Sequence, residues 1–153
     1  MVCDQRCRLR CLLIEDRKMD RWVLEKELVD LGVELIPVES AEDAIKKITE
    51  GVEQIDLFVI DAHYSYDDIE WAGIYALEKI AASIYRDRPV VLVTVFPDAP
   101  EVQAAVKQYE PIFYVKRMGS EVEMRHRLQE GVAEAMEARS RRGACCNGSG
   151  TAS

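Results

Sequence analysis

The stretch DLFVIDAHYSYDD, residues 56–68, decides how the chain is read. Leu57, Phe58, Val59 and Ile60 make a continuous apolar run of strand length, the pattern of a strand covered on both faces. Asp61 follows without a break, and after it come Ala62, His63 and a series of Tyr, Ser and Asp. A carboxylate at the end of such a strand serves as a nucleophile, a metal ligand, a helix cap or a turn residue. The flanking sequence has to decide among these.

Outward from this stretch, short apolar runs alternate with helical patterns. Strands are expected at 10–14, 34–38, 57–60, 90–93 and 112–115. Between them, Ala41, Ala44, Ile45 and Ile48 recur at i, i+3, i+4, i+7, as do Leu77, Ile80, Ala81 and Ile84, and Val102, Ala105, Val106 and Tyr109. A first helix carries Leu24, Leu28 and Leu31; a last one carries Met124, Leu128, Val132 and Ala135. Ser40 with Asp43, Asp98 with Glu101 and Ser120 with Glu123 have the spacing of capping boxes, and Gly32 and Gly51 stand where helices end. The pattern predicts an α/β fold, (βα)5, a flavodoxin-like doubly wound sheet of five parallel strands.

The 153 residues fit one domain. Residues 1–8 read as an N-terminal extension, 9–138 as the domain, and 139–153 as a small, polar, disordered tail. A net charge of −8 argues against nucleic acid as a partner. No apolar run reaches membrane-spanning length and residues 1–11 lack an apolar signal core, so a cytoplasmic protein without membrane contact is expected. Five cysteines make a complete disulfide framework implausible. Cys11 reads as a core residue. Cys3, Cys7, Cys145 and Cys146 are expected together at the pole away from Asp61, with inert thiols as the bland reading.

In a doubly wound sheet, ligands bind beyond the carboxyl ends of the strands. Those ends carry Glu15 and Asp16, Asp61, Thr94 and Lys116. Singly, each has an ordinary explanation as a helix-start charge, a turn residue, a strand former or a solvated lysine. Together they bring three carboxylates, a hydroxyl and an ammonium to one edge. Clustered carboxylates repel unless a cation neutralises them, and hard oxygens suit Mg2+. A carboxylate kept ionised there attacks phosphorus, while hydroxyl, ammonium and metal stabilise the phosphoryl oxygens.

With those residues placed, the chain resembles the receiver domains of two-component response regulators over about residues 9–136. LLIEDRKMDR resembles the family's first strand with its acidic pair, DLFVIDAH its third, VVLVTVF its fourth and PIFYVK its fifth. The resemblance implies a stand-alone CheY-like receiver, not an enzyme with a separate substrate. It implies Asp61 as phosphoacceptor and Mg2+ on Asp16, Asp61 and the main-chain carbonyl of His63, with Glu15 acting through water. It assigns Thr94 and Lys116 to the phosphoryl group, and Thr94 with Phe113 to a conformational switch. The implied partners are a histidine kinase or phosphotransfer protein as donor and an unknown effector protein, with a homodimer possible. The alternative is a receiver-like interaction module that is never phosphorylated.

The sequence departs from the family in three places. Arg117 stands where a proline usually follows the lysine, which leaves the isomer of the Lys116–Arg117 bond open. The path from Asp61 to Gly73 is longer and carries Tyr64, Tyr66 and Trp71, and Val95 replaces a small residue after Thr94. Two rivals fit less well. Cobalamin-binding domains resemble D-x-H-x-x-G after a first strand, whereas DAHYSY follows the third and lacks the glycine. Phosphatases of the haloacid dehalogenase type resemble D-x-D, which is absent here.

Overall fold

The structure is a computed structural model that describes residues 8–64 and 68–143. Five strands, β1 (Arg10–Ile14), β2 (Glu34–Leu35), β3 (Leu57–Asp61), β4 (Val90–Thr94) and β5 (Ile112–Val115), form one parallel sheet in the order β2-β1-β3-β4-β5. The helices are α1 (Lys18–Asp30), α2 (Ala41–Glu50), α3 (Ala72–Ala81), α4 (Pro100–Tyr109) and α5 (Glu121–Arg141). The expected alternation and sheet are present.

Side chains alternate across each strand and so sort the helices into two layers. Cys11, Leu57, Val59, Val91, Val93 and Tyr114 face one side and pack with Leu24 and Leu28 of α1 and Met124, Leu128 and Ala135 of α5. Leu12, Ile14, Phe58 and Ile60 face the other and pack with α2 and α3. Leu92 and Ala62 join Val102 of α4, with Phe113 against them. Cys11 is fully buried and its thiol is pushed far up by desolvation, so it is an inert core residue as expected.

Several local expectations are corrected. β2 ends at Leu35 instead of 38. The Ile36 amide still donates to Cys11 O at 2.9 Å, but Pro37 has no amide to continue the ladder. α3 stops at Ala81, leaving Ile84 exposed, because Ser83 Oγ donates to Ile80 O at 2.8 Å and accepts from the Tyr85 amide at 3.0 Å. Tyr85 then turns into the core. Only the first capping box forms as expected, with Ser40 Oγ accepting from the Asp43 amide at 3.0 Å. α4 starts after Ala99 with Pro100 in its first turn, not at Asp98, and Ser120 makes no cap bond to α5. Gly32 and Gly51 take positive φ as expected.

The domain also extends past its expected limit at 138, since α5 runs to Arg141. The helix end is pinned by a carboxylate at the amino end of β3. Asp56, 1% exposed, accepts from the Arg10 amide at 2.9 Å, Gln54 Nε2 at 3.0 Å and Arg142 Nη2 at 3.1 Å. Arg139 is buried beside it and donates to Arg8 O at 3.0 Å. Cys3, Cys7, Cys145 and Cys146 lie outside the described residues. Among the described residues, no helix is long and apolar enough to cross a membrane.

Candidate functional site

Three strands deliver the acidic residues and their counter-ion to one sheet edge. β1 ends at Ile14, so Glu15 and Asp16 emerge there; β3 ends at Asp61; β5 ends one residue before Lys116. Glu15 and Asp61 are buried, at 5% and 6% exposure, whereas Asp16 is exposed. Carboxylate oxygens of Glu15, Asp16 and Asp61 lie within 4.8 Å of one another. Lys116 Nζ bridges into this group, 3.0 Å from Glu15 Oε1 and 3.3 Å from Asp61 Oδ2. The remaining acceptors are occupied by backbone: the His63 amide donates to Asp61 Oδ1 at 3.0 Å and the Arg17 amide to Glu15 Oε2 at 3.2 Å.

A fourth carboxylate was not legible in the sequence. Asp20, in the first turn of α1, accepts from Lys116 Nζ at 2.9 Å. An acidic residue in a first helical turn is common enough that its position alone carries no signal.

The charges perturb one another. Burial, together with the charge and hydrogen bonding of Asp61, pushes Glu15 up from 4.5 to about 7, against the pull of Lys116. Burial alone would depress Lys116, but its bond to Asp20 and the charges of Asp61 and Glu15 outweigh this and hold it above its ordinary value. Three carboxylates, Glu15, Asp20 and Asp61, thus share one ammonium, and Asp16 adds a further negative charge to the convergent group with Glu15 and Asp61. The deficit of positive charge, the all-oxygen donors and their convergence suit a small hard cation such as Mg2+.

Thr94 ends β4, next to β3 in the sheet, and is fully buried. Its Oγ1 accepts from the Phe96 amide at 2.9 Å. Phe113 is half-buried one strand over, beside Leu92, Val102 and Val106. The loop after Asp61 carries His63 into an aromatic group that the sequence reading left unassembled. His63 meets Trp71 edge-on at 4.7 Å and Phe96 at 5.0 Å between centroids. Its Nε2 lies 3.4 Å from Glu70 Oε2. Val95 is 41% exposed.

Two backbone features fix the geometry. Gly73 opens α3 against β3 so closely that a Cβ would sit 1.9 Å from Asp61 O. The Lys116–Arg117 bond is trans, as are all described peptide bonds. In place of a proline, a serine closes the turn: the Arg117 amide donates to Ser120 Oγ at 3.1 Å, and Ser120 Oγ donates to Arg117 O at 2.7 Å. Tyr114 Oη lies 2.5 Å from the same Oγ.

No protein-family model matches the sequence, and no curated protein matches it. Solved structures do match the fold. The chain is similar to a CheY-like response regulator receiver domain from Methanospirillum hungatei JF-1, at 18% identity and a TM-score of 0.66, over 85% of this chain and 98% of that one. It is similar to the receiver domain of an HD domain-containing protein from Pseudomonas fluorescens Pf-5, at 21% identity and a TM-score of 0.68, with the same coverage of 85% and 98%. A third match is the receiver domain of a sensor histidine kinase from Pseudomonas aeruginosa PAO1, solved with magnesium in its active-site cleft. It shows 20% identity and a TM-score of 0.63, over 82% of this chain and 98% of that one. The chain therefore has the receiver-domain fold, as the sequence led us to expect.

Proposed function

We propose that the protein is a response regulator receiver in which Asp61 accepts a phosphoryl group from a histidine kinase or phosphotransfer protein. The observation that carries this reading is the convergence of Glu15, Asp16 and Asp61 within 4.8 Å, with Lys116 Nζ 3.3 Å from Asp61 Oδ2. Asp16, Asp61 and the His63 carbonyl would hold Mg2+, with Glu15 acting through water. Bound there, the cation would neutralise charge on the transferring group. An Asp61 oxygen forms the bond to phosphorus, the donor's P–N or P–O bond breaks, and its electron pair leaves with the donor. Lys116 and Thr94 then hold the phosphoryl oxygens. The magnesium in the Pseudomonas aeruginosa receiver's cleft supports the choice of cation.

The output would pass through protein contacts. A phosphoryl group on Asp61 gives Thr94 a new partner and so draws it away from the Phe96 amide. Phe113 and the α4–β5–α5 face would respond, because a ligand shifts an equilibrium only through differential contacts. A cytoplasmic location and an effector protein of unknown identity complete the reading.

The test is intact-mass measurement with acetyl phosphate and Mg2+. Wild type should gain one phosphoryl group, and the gain should vanish without Mg2+ and in Asp61→Asn. Equal labelling of wild type and Asp61→Asn would move the acceptor elsewhere. No labelling by any donor, with the fold intact, would leave an interaction module that is never phosphorylated.

A further inference from the structure

Lys116 is shared among three carboxylates, and one of them stands apart from the others. Nζ lies 2.9 Å from Asp20 Oδ2, 3.0 Å from Glu15 Oε1 and 3.3 Å from Asp61 Oδ2. Glu15 and Asp61 also belong to the convergent group with Asp16, and Asp20 does not. Its side chain is 34% exposed on α1, so it takes the ammonium at the rim of the site.

Where the ammonium sits matters for both halves of the chemistry. Asp61 Oδ1 is already engaged by the His63 amide at 3.0 Å, so Oδ2 is the oxygen left to attack phosphorus. An ammonium seated fully on Oδ2 would block and neutralise it. It would also repel a divalent cation among the same carboxylates. Asp20 supplies the shortest of the three contacts and takes a share of the charge that would otherwise fall on Glu15 and Asp61.

We propose that Asp20 is a positioning residue: it shares the Lys116 ammonium with Glu15 and Asp61, so that the charge is not held on Asp61 Oδ2 alone and the acidic group stays available to a cation. The kinetic half of this inference rests on the reading of Asp61 as phosphoacceptor; the cation half does not. In the transfer, the Asp61 oxygen bonds to phosphorus, the donor bond breaks with its electron pair leaving on the donor, and Lys116 moves from Asp20 to the phosphoryl oxygens. The phosphoryl oxygens carry more negative charge than any one of the three carboxylates that share the ammonium.

The experiment is calorimetric titration with Mg2+ alone, followed by labelling with acetyl phosphate at saturating Mg2+. Asp20→Asn should weaken Mg2+ binding roughly three- to tenfold, the effect of one charge a few ångströms away in a partly solvated site. Asp20→Glu should restore it. Asp30→Asn removes the same charge from the exposed far end of α1 and should leave affinity unchanged within about twofold, because solvent and salt screen it. The labelling rate of Asp20→Asn should fall several-fold. Wild-type Mg2+ affinity in Asp20→Asn, an equal loss in Asp30→Asn, or no Mg2+ binding by wild type would overturn the inference. An unchanged labelling rate would overturn its kinetic half. If Asp61 is never labelled while Asp20→Asn still loses Mg2+ affinity, the phosphoacceptor reading fails and the sharing of Lys116 stands.

Discussion

Glu15 holds its proton up to about pH 7, whereas an unfolded glutamate releases it near 4.5. The sign of the pH dependence follows. Below 4.5 both states are protonated and the group contributes nothing. Between 4.5 and 7 the unfolded chain binds fewer protons than the folded one, so stability falls as pH rises; above 7 the loss is complete. For Mg2+-free protein the fall from this group should be roughly 2–3 kcal/mol. Urea unfolding at pH 4.5 and 7.5 should show that difference between wild type and Glu15→Gln, which cannot ionise. Equal pH slopes in the two proteins would mean that Glu15 is ionised throughout. At this scale Glu15, Asp16, Asp61, Thr94 and Lys116 were legible, because strand ends can be read from apolar runs. Asp20 was not, since its contact with Lys116 joins residues 96 positions apart in the chain. The aromatic contacts of His63 were hidden for the same reason: Trp71 and Phe96 belong to different loops.

Among the elements, the start of α3 is the most tightly constrained. A methyl at Gly73 would overlap the Asp61 carbonyl oxygen at 1.9 Å, and backbone cannot move aside as a side-chain tip can. Gly73→Ala should therefore cost on the order of 2–4 kcal/mol and displace Asp61. The checks are the thermal midpoint and the Mg2+ affinity; a variant matching wild type in both would show that α3 can slide. The β5–α5 turn offers a second test. Ser120→Ala removes the hydroxyl that closes the turn after Lys116 and leaves Tyr114 Oη only its 3.3 Å bond to Ser120 O. A loss of about 1–2 kcal/mol is expected from that group alone. Urea unfolding measures it, with Ser120→Thr expected to recover most of it. Ser120 was read as a helix cap, because spacing alone does not distinguish a cap from a turn clasp. β2 and α3 were overlong in the reading for the same kind of reason. Periodicity continued past residues whose backbone chemistry, Pro37 and Ser83, stopped the element.

For the whole molecule, the sheet carries carboxylates at both poles, and they do opposite work. Asp61 belongs to the acidic cluster with Glu15 and Asp16, while Asp56 is spent on structure, tying Arg10, Gln54 and Arg142 together under the sheet. Asp56→Ala should cost roughly 3–5 kcal/mol, since it strands buried donors and a guanidinium. Thermal unfolding checks it, and the variant should keep its Mg2+ affinity if it is measured below the transition. The fold class was legible from the alternation of strands and helices. The reach of α5 was not, because its last turn, ARSRR, is polar, and its burial comes from ion pairing that apolar patterning cannot report.

The pinning of α5 by Asp56 has a consequence for how the chain can be rewired. Arg139 reaches the carbonyl of Arg8, so the first and last described turns of backbone leave from one pole. A short flexible linker from residue 143 to residue 8 would close the domain into a ring without crossing the mouth where Asp61 sits. Opened again between Arg86 and Asp87, which are both exposed, such a permuted chain should fold and retain its Mg2+ affinity. The domain would then hang from two neighbouring threads at a new place, carrying its acidic mouth outward like the free end of a buoy.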